Sequence, residues 1–118
     1  MNDYVKNKDG RKYIEADKEY IIRSEQDALD LAAICVENNT SLLLLHYGNL
    51  TPDFLDLKTG LAGAILQKFI NYRIKVAAII PPEKIAGKFR KMVIESNRSN
   101  HFRVFATEEE ARNWLLKI

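Results

Sequence analysis

Two uninterrupted apolar runs, residues 42–45 in "SLLLLHYG" and 76–80 in "KVAAII", constrain this chain more than any other feature. Neither alternates polar with apolar side chains, so each must bury both of its faces. Short strands of that kind belong to a parallel sheet with cover above and below. Parallel neighbours cannot be joined by a hairpin; they need a crossover, usually a helix. The residues between the two runs supply one. Leu61, Ala62, Ile65, Leu66, Phe69 and Ile70 recur at helical spacing, which predicts a helix over residues 59–73.

The same alternation extends in both directions. The first sixteen residues read as a hairpin, with strands in "DYVKNK" and "RKYIEA" around an Asp9-Gly10 turn. "EYIIR" is β-prone and short, an extension or a connector. Ser24 and Asp27 then open a helix over residues 25–38 whose inner positions are Ala28, Leu31, Ala32 and Cys35. Pro52 favours the opening of a short turn or helix. Beyond Pro81-Pro82, a third helix is expected over residues 83–96, with Ile85, Phe89, Met92 and Val93 inward, ended by Asn97 or Asn100 in a left-handed conformation. "HFRVF" is a further strand. Thr107 and Glu110 form a capping box for a last helix with Ala111, Trp114, Leu115 and Ile118 on its inner stripe. The predicted fold is therefore a small single α/β domain over residues 1–118. Its sheet is mixed: strands near Leu42, Val76 and Phe102 are parallel, and the N-terminal hairpin is antiparallel.

Charge and cysteine content narrow the function. A chain that is 47% hydrophobic and 29% charged can pay the entropy of folding, so disorder is excluded. A single cysteine, Cys35, forbids an internal disulfide and suits a reducing cytoplasm. "MNDYVKNKDG" has no apolar stretch, so no secretory signal is expected, and the apolar runs are too short to span a bilayer. Residues 1–57 hold six Lys/Arg against eleven Asp/Glu, whereas residues 58–118 hold twelve against five. Such an asymmetry can steer a partner or orient a homodimer through a sheet edge or helix face. Lys84, Lys88 and Lys91 share a helical face, with Arg90, Arg98 and Arg103 nearby. Without a recognition motif or aromatic platform they read as a solvated surface, and no nucleic acid is expected.

Ligands of open α/β sheets gather beyond the carboxyl ends of the parallel strands. His46, Tyr47, Gly48 and Asn49 follow one such end, Pro81-Pro82 the next, and Ala106-Thr107 the last. The polar connection "NLTPDFLDLKTG" adds Asp53, Asp56, Lys58, Thr59 and Gly60. An enzyme could use His46 as base, Asp53 or Asp56 to orient it and Thr59 as nucleophile. No Gly-x-Ser-x-Gly elbow accompanies them, and no catalytic residue is assigned. The Gly-x-x-x-x-Gly-Lys-Ser/Thr order of a phosphate loop is absent. His46 and His101 stand far apart with no ligand cluster between them, so neither a metal nor a cofactor is expected. Thr59 and Gly60 suit a helix start, with Gly60 and Gly63 permitting close packing on the sheet.

"TPDFLDLKTGLAGAILQKFINYRIKVAAI" and "FRKMVIESNRSNHFRVFATEEEA" resemble a family of short bacterial proteins designated only as a domain of unknown function, number four-one-eight-zero. The likeness covers nearly the whole chain and is most specific at "FLDLKTGLAG". More distantly, the hairpin start and alternating β/α order are similar to STAS domains, the anti-sigma factor antagonists. Their Asp-Ser-Ser/Thr-Gly-Leu motif opens a helix and is phosphorylated on its second hydroxyl. Thr59-Gly60-Leu61 matches the end of that motif, and residues 104–111 resemble its "VF–Thr/Ser–x–Glu–Glu–Ala" segment. Lys58 stands where the motif has a small hydroxyl residue, and Asp56 lies one position out of register. The resemblance implies a non-enzymatic cytoplasmic module that binds a protein partner, switched at Thr59. Its contact residues would be His46, Tyr47, Asn49, Asp53, Asp56, Lys58, Thr59 and Gly60. The alternatives are a small-molecule or lipid pocket beneath that loop, or a small enzyme using His46 and Asp56.

Overall fold

Asp9 and Gly10 hold φ of 54° and 81°, the left-handed pair that a two-residue hairpin turn requires, and join β1 (Val5–Lys8) to β2 (Arg11–Glu15). The computed structural model describes residues 4–117; Asp3 of the expected first strand and Ile118 of the expected last helix lie outside them. From β2 the chain alternates: α1 (Glu25–Glu37), β3 (Leu42–His46), α2 (Pro52–Leu55), α3 (Leu61–Asn71), β4 (Lys75–Ile79), α4 (Gly87–Ser96), β5 (Phe102–Phe105) and α5 (Glu108–Leu116). The five strands lie in sequence order. Among the described residues, only the β1–β2 pair is antiparallel.

That order decides which helix covers which face. The sheet steps in one direction, and crossovers of one hand then place α1, α3 and α4 on the same side. Ile14, Leu43, Leu45, Val76, Ala78, Phe102 and Val104 meet them there, with Phe54 of α2. The last helix returns after the final strand, and it closes the opposite face, where Ala111 and Leu115 pack on Tyr13, Leu42, Leu44 and Ala77. All four leucines of the central run are thus buried, as a strand covered on both sides demands. Among the described residues, no helix is long and apolar enough to cross a membrane.

Four local expectations change. The helix expected from residue 59 starts at Leu61, because Gly60 at φ 76° breaks it from a 3₁₀ turn over Leu57–Thr59. Ile70, assigned to its inner stripe, is 40% exposed near the end of α3. The helix expected over 83–96 divides in two. A 3₁₀ turn at Pro82–Lys84 is followed by extended Ala86, and α4 begins at Gly87 with φ 58°. Lys84 therefore leaves the helical face it was assigned to. Asn97 ends α4 in a right-handed conformation, with φ −68°, and its side chain is used elsewhere. The "EYIIR" stretch is a connector: Ile22 is buried, and its N–H donates to the Asn49 carbonyl.

Candidate functional site

Parallel pairing of β2 with β3 brings the carboxyl ends of the two strands side by side, Glu15 opposite Leu44. His46 is two residues beyond Leu44 and so points to the same face, the one covered by α5. There its Nε2 meets Oε2 of Glu15 at 2.7 Å. The two side chains are only 14% and 17% exposed, so the bond is shielded from competing water.

The N-terminus of α5 completes the cluster. Thr107 caps that helix by accepting from the Glu110 N–H at 3.2 Å, which fixes Glu108 in its first turn. One ligand atom from each of Glu15, His46 and Glu108 lies within 4.8 Å of the other two. Arg112, one turn on, is paired with Glu108 and donates from Nε to the Tyr13 hydroxyl at 3.0 Å. Its guanidinium is pushed further toward the charged form, first by the Tyr13 hydrogen bond and then by the charges of Glu108 and Glu15. Tyr13 and Glu15 share a face of β2, so one strand supplies both an orienting hydroxyl and a carboxylate.

The connection after β3 is organised by Asn49, which is fully buried. Its Oδ1 accepts the His46 N–H at 2.7 Å, while its Nδ2 donates to the carbonyls of Asp17 and Tyr20 at 2.7 and 2.8 Å. Tyr47 is half-buried against the main core. Thr51 caps α2 through the Phe54 N–H, and Asp56 accepts from the Lys58 N–H at 3.1 Å. Asp53, Asp56, Lys58, Thr59 and Gly60 are exposed. The Thr59 hydroxyl donates toward the carbonyls of Asp53 (2.6 Å) and Asp56 (2.9 Å) and accepts from the Leu61 N–H at 3.2 Å. It therefore ties the end of one helical turn to the start of α3.

A family model described as "Domain of unknown function (DUF4180)" matches residues 8–115. The chain belongs to this family. The match takes in β2 to β5, all three residues of the Glu15–His46–Glu108 cluster and the loop in this DUF4180 member. No curated protein and no solved structure matches the chain significantly.

Two of the residues that converge on His46 escaped the sequence reading of the DUF4180 chain. Glu15 lies within the expected second hairpin strand, and its nearness to His46 requires knowing that β2 lies parallel to β3. Glu108 is the first helical residue after the last parallel strand, at the same sheet end as Ala106-Thr107, so the strand-end rule could have reached it. Asp53 and Asp56, the expected partners of His46, serve the loop instead: the Asp53 carbonyl receives Thr59, and the Asp56 carboxylate caps the turn at Lys58. A groove of about 430 Å³ lined by Lys6, Glu15, Ala16, Asp17, Lys18 and Glu19 runs beside the cluster, and its lining is mostly charged.

Proposed function

We propose that the chain is a non-enzymatic regulatory module of the bacterial cytoplasm that binds another protein through the exposed part of the loop from His46 to Gly60, with Thr59 as its switch. The observation that carries the reading is the position of the Thr59 hydroxyl, exposed to solvent yet joining α2 to α3 by hydrogen bonds on both sides. A phosphoryl group placed there by a partner kinase removes the hydroxyl proton. Its two carbonyl acceptors lose their donor, and about −1.5 to −2 charges appear beside them. Lys58 offsets part of that charge, while Asp53 and Asp56 repel it. The modification thus loosens the turn and deepens the negative charge of the contact surface together. The resemblance of Thr59-Gly60-Leu61 to the STAS phosphorylation motif supports the same reading, and the buried, unpaired Cys35 suits the compartment.

The test is affinity capture from the native host with three baits: wild type, Thr59→Glu and Thr59→Val. A partner kept by wild type and Thr59→Val but lost by folded Thr59→Glu identifies a charge switch. Loss by both variants identifies the hydroxyl's hydrogen bonds as the contact requirement. The same partners on all three baits return Thr59 to a purely structural joint.

A second reading keeps His46 as a general base, and the 2.7 Å contact favours Glu15, in place of Asp56, as the group that orients it. It predicts that His46→Ala abolishes turnover of a small molecule while the capture results stay unchanged.

A further inference from the structure

We propose that Glu15, His46 and Glu108 form a binding site for a divalent transition-metal ion of the zinc class. The three ligands come from the ends of β2 and β3 and from the first turn of α5, so packed elements hold them in place. Their ligand atoms fall within 4.8 Å of one another. Metal–ligand bonds of about 2.0–2.2 Å put ligands on opposite sides of one ion about 4 Å apart. Small inward movements of two carboxylates therefore close the site without moving the backbone.

The donor set selects the ion. An imidazole nitrogen beside two carboxylate oxygens suits zinc, cobalt or nickel, whereas magnesium and calcium take oxygen ligands. Three protein ligands leave at least one position for water or an incoming group. The surroundings supply what ligating groups require. Arg112 grips the Glu108 carboxylate and the Tyr13 hydroxyl, an outer partner of the kind that orients a metal ligand. With His46 neutral, two carboxylates against one guanidinium leave the cluster one negative charge in excess, and a divalent cation is the complement. To take the ion, the neutral His46 ring carries its single proton on Nδ1, which leaves the Nε2 lone pair, now facing Glu15 at 2.7 Å, free to bind it. The inference stands apart from Thr59, whose hydrogen bonds lie wholly within the α2–α3 connection.

The experiment is calorimetric titration of the intact chain with Zn2+, paired with Co2+ titration read by visible absorption. Wild type is compared with His46→Ala, Glu15→Gln, Glu108→Gln and His101→Ala, each checked for folding by circular dichroism. The expected result is one ion per chain. Affinity falls by about tenfold or more in His46→Ala and in exposed Glu108→Gln, and is unchanged in His101→Ala. The exposed position of Glu108 keeps the test decisive even where a change at half-buried Glu15 or His46 unsettles the fold. Uptake that persists in Glu108→Gln and His46→Ala, uptake lost in His101→Ala, or none by wild type at millimolar Zn2+ overturns the proposal.

Discussion

Asn49 shows how much one side chain decides in this protein. Its carboxamide satisfies one backbone N–H and two carbonyls from two separate segments, and its own carbonyl receives Ile22. Replacement by alanine keeps the backbone bond to Ile22 but strands the His46 N–H and the Asp17 and Tyr20 carbonyls in a dry interior. We expect Asn49→Ala to cost about 3 kcal/mol, at about 1 kcal/mol for each lost bond, read as a lowered urea midpoint. Asn49→Asp should be no better, because a carboxylate cannot donate to the Asp17 and Tyr20 carbonyls. Thr59 is the contrasting case, since water can replace its partners. Thr59→Val should therefore cost only about 0.5–1 kcal/mol by the same measurement, with the sheet unchanged by circular dichroism. Gly60 has the room for a methyl group but not the backbone angle, because nothing lies within 4 Å of an added Cβ and φ is 76°. Its strain, not its packing, makes the joint a glycine.

Among the elements, α5 and β5 show how ends are controlled. Three glutamates stand in the first turn of α5, where the helix dipole favours them, and two cations meet its carboxyl end. Arg11 donates to the Leu116 carbonyl at 2.6 Å, and Lys75 reaches those of Trp114 and Lys117 at 3.0 and 3.1 Å. The Trp114 ring carries Lys75 at 4.4 Å and Arg103 at 5.1 Å from its centroid, so aromatic and charged contacts fasten the same end. At the other margin, β5 would present open backbone groups to a second chain. Asn97 closes that edge: its Oδ1 accepts the Val104 N–H at 2.9 Å, and its Nδ2 approaches the Val104 carbonyl at 3.4 Å. Side-chain mimicry of a neighbouring strand prevents edge pairing. Asn97→Ala should lower stability by about 1–2 kcal/mol and raise the dimer fraction with concentration, measured by size exclusion with light scattering. A variant that stays monomeric up to millimolar concentration would show that the edge needs no guard.

For the whole molecule, burial couples stability to alkaline pH. Cys35 sits in the main core, and desolvation raises its thiol from 9.0 to about 12. Tyr20 rises from 10.0 to about 12, by desolvation first and then by the charges of Asp27 and Asp30. In both cases the unfolded chain releases its proton at lower pH than the native one. Between those values the unfolded state therefore binds fewer protons, and stability falls as pH rises. Below pH 9.0 the contribution of both groups is fully present. Lys75 acts in the opposite sense, since desolvation, with Arg11 and Arg103, lowers it; its contribution grows as pH approaches 10.5. Urea midpoints should decline from pH 9 toward 12, and Cys35→Ala should flatten the first part of the decline, although the variant begins less stable. An unchanged slope in that variant would remove the thiol from the account.

The identity and order of the elements were legible along the chain, because strand and helix periods, the Asp9-Gly10 turn and the Thr107 cap are local properties of a few residues each. Even so, two helix starts were misplaced, since Gly60 and Gly87 spend their freedom on a left-handed angle that spacing alone does not reveal. Of the partners of His46, only Glu108 was within reach of the strand-end rule, and Glu15 was not legible. Aspartates within a dozen residues looked sufficient, yet Glu15 stands 31 residues away and Glu108 lies beyond the last strand. Both arrive only through sheet order and the return of α5 across the second face. The sequence alone determined which segments become strands and helices and which strand is buried on both sides. The tertiary structure decided which strand ends lie together, because strand neighbours are chosen by the burial of whole faces, a choice no short segment makes by itself.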